Sequence, residues 1–548
     1  MGRGVIMEFS KGDIFGGITA GVVALPLALA FGVQSGLGAE AGLYGAIVLG
    51  FFAAIFGGTP SQISGPTGPM TVVSTATIAG FVAVAGSVEM ALGAIVACFV
   101  LTGILQIVMG LVKIGTLIRY IPYPVISGFM SGIGVIIILL QLFPAVGLGS
   151  PASPIDVINK LPELSGINSW ALMYAGLSIA IIYLFPKITK AIPGTLVALL
   201  AVTILSVLLE KPVPVIGDIP KGLPDLQLGA LGSISSDLYT LILTSALTLA
   251  ALGSIDSLLT SVVADNVTKT KHNSNRELIG QGIGNAAAGL VAGLPGAGAT
   301  MRTLVNIRSG GSGRMSGVIH ALTLAVILLG VGRYAALIPN AVLAGILITV
   351  GIGILDYKGL RHLRKVPRSD AVIMILVLLA TVFLDLLTAV GIGMVLAALL
   401  FMKKMSDITE ARTKVNPLSA DDYSASGNGN KEMPANLRQS VYVKKIDGPL
   451  FFGFASSFQR ILETLPDIRY VIIRMERVPF IDQTGVYALE DAVLSLERRN
   501  IQVLLAGLQP QPEDMLEKIH IIPNLVSKNH VFVSFKECVQ WLSNEHVS

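Results

Sequence analysis

Apolar runs long enough to cross a bilayer recur along this chain as far as residue 402, and that pattern leaves few folds open. They lie near 14–33, 42–57, 68–83, 90–111, 121–146, 169–185, 193–209, 237–263, 278–293, 300–307, 316–332, 335–355, 370–385 and 388–402. Lipid offers no partner to a backbone N–H or C=O, so a spanning segment must be a helix of about 20 residues or part of a closed barrel. The expected fold class is a polytopic α-helical membrane protein with fourteen crossings. Charge agrees: 13% of the 548 residues are Asp, Glu, Lys or Arg, against about 25% in soluble chains.

The basic residues set an orientation. Lys113 and Arg119 follow the fourth run, Lys187 and Lys190 the sixth, and Lys269, Lys271 and Arg276 the eighth. Arg308 and Arg314 follow the tenth, Lys358, Arg361, Arg364, Lys365 and Arg368 the twelfth, and Lys403 and Lys404 the last. Every cluster follows an even-numbered run. The positive-inside rule then predicts both termini in the cytoplasm of a cell (inner, plasma) membrane. No cleavable signal peptide is expected at the start. A net charge of +4 is weak and says nothing about nucleic acid; the expected partners are a small anion and the bilayer, with no nucleic acid, and two cysteines, Cys98 and Cys538, make no disulfide framework or Cys-based metal site.

Two runs are interrupted alike. Pro66-Thr67-Gly68-Pro69 opens one, Pro295-Gly296-Ala297-Gly298-Ala299-Thr300 another, and the two threonines are 233 residues apart. Paired Gly/Pro breaks in two halves of a membrane domain point to the substrate site of a secondary transporter. A broken helix exposes N–H groups and a positive dipole end, which favour an anion. Thr67, Gly68, Ala299 and Thr300 are the candidate anion ligands. The alternative is that Gly and Pro here only permit close helix packing.

Asp256 lies inside the eighth run, where a carboxylate costs about 2.5–3.5 kcal/mol on insertion scales. Thr260 is at i+4, on the same helical face. A carboxylate with a hydroxyl is hard-oxygen chemistry suited to Na⁺, so Asp256 and Thr260 are candidate ligands of a coupling ion. Alternatively, Asp256 pairs with Arg302 and only knits the bundle. Arg302 is in turn an anion ligand, the neutraliser of Asp256, or an orientation signal. Pro26 interrupts a Leu/Ala helix, and a bend there would bring Phe31 to the site as an apolar wall. Gln281 and Asn285 share a face and are expected to tie helices together; His320 is expected to be a packing histidine, with a proton relay as the alternative. No phosphate-binding loop is found, so transport is expected to run on ion gradients with no cofactor besides the coupling ion.

After residue 404 the pattern changes. Residues 405–439 read as a flexible linker. Residues 440–548 read as a soluble α/β domain with strands at 441–443, 471–474, 503–506 and 531–533 and helices at 454–465, 484–499 and 512–520. This domain is expected to fold alone.

Several segments resemble the SulP (sulfate permease) anion transporter family. They are Gly12-Asp13-Ile14-Phe15-Gly16-Gly17-Ile18-Thr19-Ala20, Ala39-Glu40-Ala41-Gly42-Leu43-Tyr44-Gly45, Gly57-Gly58-Thr59-Pro60 and Gly65-Pro66-Thr67-Gly68-Pro69-Met70-Thr71. The tail, with Phe480-Ile481-Asp482-Gln483-Thr484-Gly485, resembles the family's STAS domain. The resemblance implies two inverted seven-helix repeats forming core and gate domains, a cytoplasmic STAS domain, and a homodimer. Ala24-Leu25-Pro26-Leu27-Ala28-Leu29-Ala30-Phe31-Gly32 and Val125-Ile126-Ser127-Gly128-Phe129-Met130-Ser131-Gly132 look most like the cyanobacterial Na⁺-dependent bicarbonate transporters of the BicA type. That likeness implies Na⁺ on Asp256, Thr260 and Thr300, and bicarbonate on Thr67 and the backbone before Thr300. Two positions depart from that type: Arg302 stands in place of a small residue and Gly65 in place of an acidic one. Gln483 occupies the place of the phosphorylated serine of related STAS proteins.

The leading expectation is a Na⁺:bicarbonate symporter. A second is a sulfate or carboxylate permease coupled to H⁺ through Asp256. A third, from another class, is a membrane-bound anion sensor signalling through the STAS domain, whose ligand the sequence does not indicate. No nucleophile–base pair predicts an enzyme.

Overall fold

In the computed structural model the described residues are 10–545, apart from 117–120, 152, 164–165, 190–191, 217–224, 385, 420–439, 454–465 and 467. The chain divides into two compact units, Met1–Ala397 and Ala398–Ser548.

The first unit is helical. Its helices are α1 (Lys11–Ser35), α2 (Ala39–Phe56), α3 (Gly68–Ala85), α4 (Val88–Leu111), α5 (Tyr123–Ala145), α6 (Pro154–Lys160), α7 (Ser169–Leu184) and α8 (Gly194–Leu209). There follow α9 (Tyr239–Thr268), α10 (Ser274–Leu290), α11 (Thr300–Arg308), α12 (Arg314–Ala335), α13 (Asn340–Ile354), α14 (Tyr357–His362) and α15 (Arg368–Phe383). The helix α16 (Leu386–Arg412) runs across the boundary between the units. Eight described helices are long and apolar enough to cross a membrane, and three apolar helices are shorter. Others at membrane positions, such as the nine-residue α11, are too short or too polar to declare themselves by length.

Small residues let the helices approach to backbone contact. A Cβ on Gly103 of α4 would lie 2.4 Å from the Gly282 carbonyl of α10, so only glycine allows this crossing. Helix α1 begins at Ser10, whose hydroxyl caps it by accepting from Asp13 N–H at 3.0 Å. Asp13 in turn accepts from the N–H groups of Ser312 and Gly313, at 2.9 and 2.8 Å, and ties α1 to the turn before α12. The helix continues unbroken through Pro26.

The two interrupted segments meet. Strand β1 (Ser64–Gly65) pairs antiparallel with β2 (Ala297–Gly298), Ser64 opposite Gly298 and Gly65 opposite Ala297. Each leads directly into a helix, β1 into α3 and β2 into α11. Lipid cannot satisfy the backbone that these breaks expose; here each break satisfies the other.

The second unit holds a five-stranded sheet in the order β3 (Lys414–Pro417), β4 (Val441–Asp447), β5 (Tyr470–Arg477), β6 (Gln502–Ala506), β7 (Val531–Phe532). The pair β3–β4 is antiparallel and the rest are parallel. Helices α17 (Gln483–Arg498) and α18 (Pro510–Lys518) pack on one face, and α19 (Phe535–Glu545) on the other. The expected strands and the helices at 484–499 and 512–520 are present, with ends shifted by a few residues. The expected helix at 454–465 lies outside the described residues. The linker differs from expectation: 405–412 belong to α16 and 414–417 to β3, while 420–439 lie outside the described residues.

Candidate functional site

The site is built on two helix starts that their own side chains leave uncapped. Thr67 occupies the N-cap position of α3, where a threonine hydroxyl ordinarily accepts from the first-turn N–H groups. It makes no such bond. Its hydroxyl donates instead to Asp256 Oδ2 at 2.8 Å. At α11 the N-cap is Ala299, which has no acceptor to offer. Both helices therefore keep first-turn N–H groups free of intrahelical partners and a positive dipole end.

Asp256, on α9, is 7% exposed, and Thr260, one turn on, is fully buried. Helix α9 clamps the second break from both sides. Ser257 Oγ accepts from Gly298 N–H at 3.1 Å, and Thr260 Oγ1 donates to Gly298 C=O at 2.8 Å. Thr260 Oγ1 also lies 2.7 Å from Thr300 Oγ1. With its proton given to Gly298, Thr260 accepts from Thr300. The expected residues Thr67, Asp256, Thr260 and Thr300 thus form two hydrogen-bonded pairs, each joining α9 to one of the breaks. Carboxylate, hydroxyl and carbonyl oxygens are hard ligands, and this set fits Na⁺.

On the anion side two of the expected groups are engaged within the protein. Thr67 spends its proton on Asp256. Ala299 donates its N–H to Ile63 C=O at 2.8 Å and accepts from Thr303 N–H at 2.8 Å. The N–H groups that open the two helices without an intrahelical acceptor are those of Gly68 and Met70 and of Thr300, Met301 and Arg302. Phe31 is 2% exposed and stands at the first break although α1 does not break at Pro26. A Cβ on Gly68 would lie 4.0 Å from Phe31 Cζ, 2.7 Å from Ile137 Cδ1 of α5 and 3.0 Å from Ile354 Cδ1 of α13. Ile137 and Ile354, which sequence reasoning missed, close the apolar wall. An isoleucine in an apolar run gives no signal of its own.

Arg302 is almost fully buried and forms no ion pair with Asp256. Its Nη2 donates to Pro66 C=O, and its Nε and Nη1 have no hydrogen-bond partner. It holds the first break from behind. A Cβ on Gly65 would lie 2.5 Å from Arg302 Nη1, so the large side chain at 302 requires the missing one at 65. Arg302 and Gly65 are one feature in space. Asn285 brackets the second break, accepting from Gly296 N–H at 2.8 Å and donating to Gly296 C=O at 3.0 Å. Gln281 donates to Ser64 Oγ at 2.6 Å. His320 is fully buried, and neither ring nitrogen has a hydrogen-bond partner.

Comparison with known proteins agrees with this architecture. Residues 11–377 match the sulfate permease family, and residues 432–537 match the STAS domain. The bicarbonate transporter BicA of Picosynechococcus sp. is 43% identical over 93% of this chain and 91% of its own length. The transmembrane domain of a cyanobacterial BicA superposes with a TM-score of 0.64 at 48% identity, covering 70% of this chain and 97% of that one. Murine Solute Carrier 26 family member A9, described as an anion transporter in the inward-facing state, covers 98% of this chain and 92% of its own. Its TM-score of 0.83 at 20% identity shows the shared fold. A multi-pass membrane domain with two broken helices whose breaks pair with each other, followed by a STAS domain, is an anion transporter and no enzyme, and the chain belongs to the sulfate permease family.

Proposed function

We infer that the protein is a Na⁺-coupled bicarbonate symporter working by alternating access, with the anion held between the starts of α3 and α11 and Na⁺ on Asp256, Thr260 and Thr300. The observation that carries this reading is the bond from Thr67 to Asp256. It couples the two ions. In the absence of a cation the Asp256 carboxylate is itself the negative charge beside the α3 dipole, and it repels a second anion. Na⁺ neutralises Asp256 and leaves the helix starts to the substrate. A largely desolvated site makes both effects strong. The 43% identity to a bicarbonate transporter supports the choice of anion. The membrane is the cell's plasma membrane, with both termini cytoplasmic by the distribution of Lys and Arg, and the functional unit is a homodimer, as the family resemblance implies.

Arg302 favours a second reading. A buried guanidinium behind Pro66 adds a full positive charge that suits a divalent anion such as sulfate. Uptake of radiolabelled bicarbonate and sulfate into proteoliposomes, under an inward Na⁺ or H⁺ gradient, separates the two. Bicarbonate uptake that requires Na⁺ is the expected result, lost in Asp256→Asn protein that still inserts. Sulfate uptake driven by H⁺ alone overturns it.

A further inference from the structure

Glu277, in the first turn of α10, is a buried acid of the membrane unit besides Asp13 and Asp256. Each of its oxygens accepts two hydrogen bonds. Oε2 takes the N–H groups of Gly58 and Thr59, both at 2.8 Å. Oε1 takes the amide nitrogens of Gln62 and Gln281, both at 2.8 Å. All four donors are protein groups, so this carboxylate acts purely as an acceptor and has nothing to offer a transported ion.

The partners lead back to the coupling site. Gln62 Oε1 accepts from Ser261 Oγ at 3.0 Å, and Ser261 Oγ lies 2.7 Å from Thr59 Oγ1. Ser261 follows Thr260 directly on α9. Gln281 continues to Ser64 in β1. The carboxylate therefore gathers the turn 58–62 that enters the first break and locks it to α9 beside the residues facing Na⁺. We propose that Glu277 is a positioning residue for ion coupling: through Gln62, Ser261 and Ser64 it sets the distance between the first break and α9 without touching either ion.

The proposal rests on the Na⁺-symport reading above, and one experiment tests both separably. Initial rates of bicarbonate uptake into proteoliposomes are measured against Na⁺ concentration for wild type, Glu277→Gln and Gln62→Ala, with thermal stability followed in parallel. In Glu277→Gln an amide nitrogen must face either two backbone N–H groups or two glutamine amides. Only the second arrangement relaxes, because Gln281 Oε1 has no partner and can turn to accept. The turn stays anchored while the link through Gln62 slackens. Both variants should raise the KM for Na⁺ about tenfold, the lower end of what outer partners of a metal site contribute, with a smaller change in maximal rate. If Glu277→Gln is not recovered, Gln62→Ala decides together with Gln281→Ala, which cuts the arm to Ser64 and leaves Gln62 against Gly298 in place. An unchanged KM for Na⁺, whether or not stability or maximal rate falls, means the network is scaffolding and overturns the proposal. A wild type that ignores Na⁺ overturns the symport reading before any variant is compared.

Discussion

Thr67 stands where a capping residue stands, yet its proton goes to Asp256 2.8 Å away. A hydrogen bond to a charged group contributes about 1.5–3 kcal/mol. Thr67→Ala should therefore lower the thermal stability of the purified protein by untying the first break from α9, and Thr67→Ser, which restores the hydroxyl, should recover it; equal defects in both would place the methyl group, not the hydroxyl, at issue. Gly65 gives a sharper test of packing. A Cβ there meets Arg302 Nη1 at 2.5 Å, so Gly65→Ala should lower the thermal stability of the purified protein by displacing the guanidinium from Pro66. Adding Arg302→Ala should recover part of that loss. Additive losses, read by a double-mutant cycle, would show that the two positions do not interact. The residues legible in the sequence were those whose chemistry is wrong for lipid: Asp256, Thr67, Thr300. Ser257 and Ser261 were not, because a serine in a membrane helix commonly bonds its own backbone. Glu277 escaped because it sits one residue before an apolar run and reads there as a loop acid.

At the scale of elements, the matching Gly/Pro breaks were legible in the sequence, whereas the pairing of β1 with β2 was not. Two residues per strand leave no alternation to read. The strand β3 was hidden for a similar reason: Lys414-Val415-Asn416-Pro417 has one apolar residue and ends in proline, as an edge strand can. Its neighbour β4 carries Lys444, which is fully buried. Burial pushes the Lys444 amine down to about 7 from its ordinary 10.5, against the pull of Glu410. A base with a lowered folded-state pKa binds fewer protons folded than unfolded between those values. Stability then rises with pH across that window and the full penalty is present below about pH 7. A soluble fragment spanning 405–548 should accordingly melt higher as pH rises from 7 to 10, and Lys444→Met should melt higher at pH 7 with that slope flattened. An unaltered slope in Lys444→Met would assign the dependence to other groups.

At the scale of the molecule, labour divides between two units with separate cores. Every residue assigned to the ions, from Phe31 to Arg302, belongs to the unit that ends at Ala397, and the walls added by the structure, Ile137 and Ile354, belong to it as well. The tail has its own apolar core on both faces of its sheet, including Val471, Ile473, Leu489 and Leu505 on one side and Tyr470, Ile472, Phe532 and Leu542 on the other. Its boundary is earlier than the linker suggested, because β3 and the end of α16 belong to it. A fragment starting at residue 405 should therefore be more stable than one starting at 436, which lacks the β3 edge and Leu418 of the core. Removing the tail after Lys403 takes no ligand and no wall from the site. The truncated protein should keep the wild-type ratio of bicarbonate to sulfate uptake in proteoliposomes, while its yield or its dimer fraction on size-exclusion chromatography falls. A changed ratio would mean that the tail shapes the anion site itself, and the division drawn from the two cores would fail.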